Sequence, residues 1–369
     1  MKVALVCSWL NQYGGAERVL EVLKNMYPDA PVYTSIYWPE AMPPSYRRWD
    51  IRTSFMNALP LAKRYHQAFL PAYPLAFERF DLSEYDVVIS NSSAFCQGVR
   101  TGPNTMHICY CLTPARFLWD YDQYILKEKV GPLLRTVLPL MISRLRSWDA
   151  NAARGVDRFV AISQVVASRI QSYYGRQADV IYPTIDTSAF KPGEEIDDYF
   201  LIVSRLIPYK QIDLAVKAFN QTGLPLRIVG DGRFRPALQA MAGPNVQFLG
   251  RVSDAESKQL YSRCRAFIFP GEEDFGLTPV EAQASGRPVI AFGRGGALET
   301  VVEGETGEFF SEADPAALAE LLLRFDHRKY DPAMIRRNAE KFDVKSFQQQ
   351  FAGFVAEAWQ EHRQRAGRG

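Results

Sequence analysis

The chain reads as an α/β protein built from two Rossmann-like domains whose parallel sheets face a central cleft. Three observations predict this. In the first half, short apolar runs alternate with helix-period stretches, and the same alternation starts afresh after residue 198. Between the halves, Pro183 to Asp198 carries Pro192, Gly193 and a cluster of acids, and reads as a linker. A length of 369 residues gives each half enough chain for its own core. The expected division is a first domain over 1–183, a linker over 184–198 and a second domain over 199–345. An amphipathic last helix, 346–362, is expected to pack back on the first domain.

In order, strands are expected at 2–7, 31–36, 86–90, 106–111, 157–161 and 179–182, with helices at 15–26, 133–153 and 163–174. The second half gives strands at 199–204, 225–229, 245–249, 265–269 and 288–291, with helices at 210–220, 233–241, 253–261, 278–285 and 314–325. The opening run Lys2 to Cys7 is too short for a signal-peptide core and fits a buried strand. No apolar stretch reaches membrane-spanning length, so a cytoplasmic protein with at most peripheral membrane contact is expected.

Composition narrows the chemistry. The chain is 47% hydrophobic and 23% charged with a net charge of only +2, which gives no global argument for nucleic acid. Five cysteines occur without C-x-x-C spacing, so reduced thiols are expected rather than a zinc or redox centre.

The most informative stretch is Phe269 to Glu281. It leaves an apolar strand, passes Gly271 and Gly276, and enters a helix expected to start with Thr278 as cap, Pro279 next and Glu281 three residues after the cap. Glycines and free helix-start amides suit a phosphate. The carboxylates of Glu273 and Glu281, eight positions apart, do not suit a phosphate and are expected to take hydroxyls. Phosphate with several hydroxyls describes a sugar nucleotide. A capping box by itself would also account for Glu281.

Further candidates follow other strands. Arg205 ends one strand and Lys210 opens the next helix, so two cations can converge on one diphosphate, although exposed cations at such a turn are common. Gly230-Asp231-Gly232 is explained by a tight turn, and Arg251-Val252-Ser253 leads into a helix that Ser253 should cap. Gly14 and Gly15 separate the first strand from the first helix and would allow close backbone approach. Residues 46–80 mix Arg47, Arg48, Arg52, Lys63 and Arg64 with Trp49, Phe55, Met56, Leu59, Tyr65 and Phe69, as Lys127 to Arg146 does again. Packing with a charged rim and contact with an anionic membrane surface are both open for these stretches.

The pattern Glu273-x-Phe275-Gly276-Leu277-x-Pro279-x-Glu281-Ala282-x-Ala284-x-Gly286 resembles the signature of the large retaining glycosyltransferase family four. The resemblance covers nearly the whole chain and implies the GT-B fold. It implies that Arg205 and Lys210 clamp the donor diphosphate and that Glu273 and Glu281 hold the donor's sugar and ribose. Gly14, Gly15, Gly232, Val252, Phe275, Gly276, Leu277 and Thr278 would line the donor. The segment His107-Ile-Cys-Tyr-Cys-x-Thr113-Pro-x-Arg116-Phe-x-Trp119-Asp120 resembles the mannosyltransferase branch associated with O-antigen synthesis. That branch carries histidine where this chain has Leu112, a departure at a position implied to touch the donor sugar. Arg116 is implied to meet the acceptor phosphate. The implied reaction is metal-independent, retaining transfer of mannose from GDP-mannose to a saccharide or polyprenyl-diphosphate-linked acceptor, with no cofactor. A sugar-nucleotide-binding protein without transfer activity, which Leu112 would favour, and a sugar-nucleotide epimerase are the alternatives.

Overall fold

A computed structural model describes residues 1–120 and 132–366. The chain divides into two compact units: Met1–Tyr182 together with the chain from Gln348, and Pro183–Phe347.

The first unit is built on a seven-stranded sheet in the order β3-β2-β1-β4-β5-β6-β7. The strands are β1 Val3–Cys7, β2 Val32–Thr34, β3 Ile51–Thr53, β4 Val87–Ser92, β5 Met106–Cys111, β6 Arg158–Ala161 and β7 Ala178–Val180. Every neighbouring pair is parallel. β1, β4 and β5 are buried along their whole length; β1 reads as a continuous apolar run, whereas β4 ends in buried Ser90, Asn91 and Ser92 and β5 carries buried His107. Helices α1 Gly15–Met26, α2 Tyr73–Glu78, α3 Arg116–Trp119, α4 Pro132–Ala152 and α5 Gln164–Tyr174 connect them.

The second unit carries a six-stranded parallel sheet in the order β10-β9-β8-β11-β12-β13. Its strands are β8 Phe200–Val203, β9 Leu226–Val229, β10 Val246–Gly250, β11 Phe267–Phe269, β12 Val289–Phe292 and β13 Gly307–Phe310. Its helices are α6 Ile212–Thr222, α7 Arg235–Met241, α8 Asp254–Arg263, α9 Leu277–Ala284, α10 Ala297–Thr300, α11 Pro315–Arg324 and α12 Pro332–Glu340. One core here packs Phe200, Ile202, Phe219, Ile228, Ile268 and Leu318. The last helix, α13 Val344–Ala366, leaves this unit and joins the first from Gln348.

Residues 184–198, expected to be a linker, are laid down on the second unit. Ile185 bridges Asp343, Thr184 Oγ1 donates to Phe342 O at 2.8 Å, and Arg263 pairs with Glu195 and Asp197.

The basic and aromatic stretch 46–80 turns its apolar groups inward. Tyr46, Met56, Tyr73 and Phe77 are fully buried, and Phe55, Leu59 and Phe69 pack against the same core. Tyr65, Arg47, Arg48 and Arg64 remain exposed. The second such stretch, Lys127 to Arg146, lies partly outside the described residues.

In each sheet, strand order reverses at one point, between β1 and β4 in the first and between β8 and β11 in the second. Open parallel sheets bind ligands beyond the carboxyl ends of the strands at such a switch.

Candidate active site

The loops that leave the two switch-point strands of the second unit carry the candidate residues. After β8 the chain passes Arg205, makes a 3-10 turn over Pro208–Lys210, and enters α6 through Gln211 in the left-handed region at φ 53°. After β11 it passes Gly271 and Glu273 before α9. These loops meet: the Lys210 ammonium is ion-paired with Glu273 Oε1, and both side chains are largely shielded. Burial would push the Lys210 ammonium below its ordinary value, but the Glu273 carboxylate and Tyr209 pull the other way and together hold it above. Arg205 is exposed, and its charge acts on Lys210 in the opposite sense.

Three glycines make this nesting possible. A Cβ on Gly230, which sits at φ 124°, would lie 1.9 Å from Ser204 O; one on Gly232 would lie 2.3 Å from Leu206 O; and one on Gly271 would lie 2.8 Å from Lys210 O. The loops after β8, β9 and β11 thus touch backbone to backbone. For Gly232 the neighbouring chain already demands glycine, with no ligand invoked.

The start of α9 differs from the expected capping box. The helix begins at Leu277, and its cap is Gly276 at φ 91°, with no side-chain hydrogen bond. Thr278 is the second helical residue and Pro279 the third. The positive φ of Gly276, open to glycine, turns the chain into the helix two residues before Pro279. Glu281 consequently lies beyond the first turn and completes no box. It is buried, and its Oε2 accepts a hydrogen bond from Tyr261 Oη of α8 at 2.8 Å. Phe275 is buried and set edge-on to Phe342 at 5.4 Å. Gly295 and Gly296 lie under this loop, with Gly296 N donating to Glu273 O at 2.8 Å. Val252 is half-buried after β10, and Ser253 caps α8 by accepting from Glu256 N at 3.2 Å.

Gly14, Gly15, Leu112 and Arg116 belong to the first unit, on the loops after β1 and β5. Gly14 is the extended cap of α1 and Gly15 its first residue. A Cβ on Gly14 would meet only Glu17 Oε2, at 3.5 Å, so the protein itself leaves room beside this loop. Glu17, in the first turn of α1, is buried. A carboxylate there opposes a phosphate at this helix start and suits a hydroxyl. Leu112 is half-buried, with its N–H donating to Ser92 O at 2.8 Å. Arg116 lies 3.8 Å from Asp120. His107 is no substitute for the missing histidine: it is buried within the sheet, with Nε2 3.0 Å from Ser90 Oγ. All five cysteines are buried and unbridged.

Two contributors escaped sequence reasoning. Tyr261, which holds Glu281, sits in a polar helix with no motif around it. Glu17 follows a Gly-Gly pair as many surface acids do; its burial is a tertiary fact.

Two parallel α/β sheets of this order define a protein of GT-B fold. Residues 13–189 match the family described as Glycosyltransferase Family 4, and residues 185–342 match Glycosyl transferases group 1. The chain belongs to the family four glycosyltransferases. It is 28% identical to Alpha-1,3/1,6-mannosyltransferase ALG2 of Mus musculus over 318 residues, covering 74% of this chain and 73% of that one. It is 36% identical over 140 residues to a GDP-mannose-dependent alpha-mannosyltransferase of Mycolicibacterium smegmatis, 36% of each chain. Among solved structures, Anabaena Alr3699/HepE in complex with UDP-glucose shares the fold, with a TM-score of 0.71, 20% identity and coverage of 97% of this chain and 100% of that one.

Proposed function

We propose that this protein is a retaining, metal-independent mannosyltransferase that uses GDP-mannose and a saccharide or polyprenyl-diphosphate-linked acceptor. The observation that carries the reading is the Lys210–Glu273 pair at the switch point of the second sheet, with Arg205 beside it. A diphosphate needs cations, a hexose needs hydrogen-bond acceptors, and this site offers both side by side. The mannose part rests on the names of the two mannosyltransferase relatives, and the guanine part on that of the Mycolicibacterium smegmatis relative. The UDP-glucose bound by HepE makes uracil and glucose the competing choice.

In this reading the bond from the anomeric carbon to the phosphate oxygen breaks as the bond to the acceptor oxygen forms on the same face. The acceptor's proton passes to the departing phosphate, so no protein base is required. Negative charge grows on the diphosphate, and Arg205 and Lys210 stabilise it there in place of a metal ion. Glu273 accepts from the sugar's hydroxyls, and Glu281, steadied by Tyr261, accepts from the ribose. Gly276, Leu277 and Thr278 offer the amides of the α9 start, and Phe275 shapes the loop that holds them. Gly232 and Val252 border the nucleotide. In the first unit Gly14 and Gly15 leave space for the donor. The backbone carbonyl of Leu112 faces the anomeric carbon, and Arg116 meets the acceptor's phosphate. A lipid-linked acceptor would bring the protein to the cytoplasmic membrane face, a reading supported by exposed Arg47 and Arg48 and by exposed Leu61, Arg64 and Tyr65. Among the described residues no helix is long and apolar enough to cross a membrane.

The test is release of nucleoside diphosphate from a panel of GDP- and UDP-sugars, with the anomeric configuration of the product read by NMR. GDP released from GDP-mannose with an α-linked product is expected. Preference for UDP-glucose, or a β-linked product, would overturn the donor or the stereochemistry respectively.

A further inference from the structure

Away from the switch-point residues, one buried carboxylate gathers three donors. Asp149, on α4, has no exposed surface. It accepts from Gln97 Nε2 at 2.6 Å, Trp119 Nε1 at 2.8 Å and Tyr174 Oη at 2.7 Å. Burial raises its carboxyl above the ordinary range, and the three donors pull the other way. Its partners come from the turn after β4, from the end of α3 and from the end of α5. These contacts form a closed circuit around the segment that follows β5. At the near end, Leu112 N donates to Ser92 O, while Ser92 Oγ donates to Gln97 Oε1 at 2.8 Å, and Gln97 reaches Asp149. At the far end Trp119 donates to Asp149 directly and stacks on Tyr173, with ring centroids 4.7 Å apart and planes 9° from parallel. Tyr173 Oη in turn donates to Asp120 Oδ1 at 3.0 Å, and Arg146 Nε donates to Leu118 O.

We propose that Asp149 is a positioning residue for sugar transfer, fixing through Gln97–Ser92 and through Trp119 the two ends of the segment Leu112–Trp119. The inference rests on the reading above, in which that segment carries the Leu112 carbonyl and Arg116. A carboxylate serves here because it accepts from three donors at once. An amide in its place offers one oxygen and turns its NH₂ toward either Gln97 Nε2 or Trp119 Nε1, both donors. The reacting atoms tolerate little displacement, since shifts of about 1 Å cost roughly 10²-fold in rate.

The experiment compares wild type, Asp149→Asn, Trp119→Phe and the double variant. The readouts are kcat for GDP release from GDP-mannose and GDP affinity by calorimetry. Trp119→Phe keeps an aromatic ring beside Tyr173 while losing the N–H together with the second ring of the indole, and it carries the test alone should Asp149→Asn not fold. Each single variant is expected to lower kcat about tenfold or more and to leave GDP affinity within twofold. The double variant should be no slower than Asp149→Asn, because both cut the same circuit. Unchanged kcat in Trp119→Phe, or losses that multiply in the double variant, would overturn the positioning role and leave the transferase reading standing. A wild type that neither binds GDP nor releases it from GDP-mannose would overturn the GDP-mannose reading on which the proposal rests.

Discussion

Glu281 illustrates how a residue's local and tertiary explanations separate. The sequence Thr278-Pro279-x-Glu281 carries every mark of a capping box, yet Gly276 takes the cap position and Glu281 turns to Tyr261. Tyr261→Phe should therefore lower stability by about 2 kcal/mol, the value of a hydrogen bond to a buried charged group. GDP should also bind several-fold more weakly. Urea denaturation and calorimetry check the two parts, and unchanged stability would detach Glu281 from Tyr261. His107 makes a second residue-scale prediction. Burial lowers its imidazole from the ordinary 6.5 to about 4, although Asp157 pulls upward. The unfolded chain binds a proton there before the folded chain does, so stability is full above about pH 6.5 and falls as pH drops toward 4. The loss is about 3 kcal/mol once both forms are protonated. Chemical denaturation of wild type and His107→Gln across that range should show a flatter profile for the variant; parallel profiles would contradict the assignment.

Among the elements, the loops after β8, β9, β11 and β12 form a stack in which glycine is dictated by the neighbour. A Cβ on Gly296 would sit 2.3 Å from Phe275 Cα, and Gly296 N holds Glu273 O. Gly296→Ala should cost about 2 kcal/mol in overpacking and reduce transfer by moving the Glu273 loop. Gly353→Ala, in α13 where a Cβ meets nothing within 4 Å, should instead stabilise by about 0.5–1 kcal/mol. Equal effects at the two sites in urea melts would contradict this reading of the stack. The same elements show what a sequence makes legible. Buried central strands announce themselves by apolar runs, Val3–Cys7 along its whole length and Val87–Ser92 by its first three residues. The edge strands Ile51–Thr53 and Gly307–Phe310 do not: the first has three residues around an exposed arginine, and the second opens on a glycine followed by Glu308. α2 and α12 also went unread: α2 is only six residues long, and α12 buries only Ile335, Asn338 and Ala339, too few apolar positions to mark a helical face.

For the whole molecule, alternation of strand and helix was enough to predict two parallel α/β sheets. Strand order was not, because it depends on which crossovers reverse direction. That order brings the β8 and β11 loops together, although Lys210 and Glu273 stand far apart in the chain. The motifs around Arg205 and Glu273 could be found by type and spacing; the ion pair joining Lys210 to Glu273 could not. The most direct test of the transferase reading is the rate of GDP release from GDP-mannose at saturating donor, compared between wild type and Lys210→Ala. Loss of this cation should slow turnover roughly 10²-fold or more, the order expected when stabilisation of a charged transition state is removed. Near-normal turnover in a folded Lys210→Ala protein would contradict it.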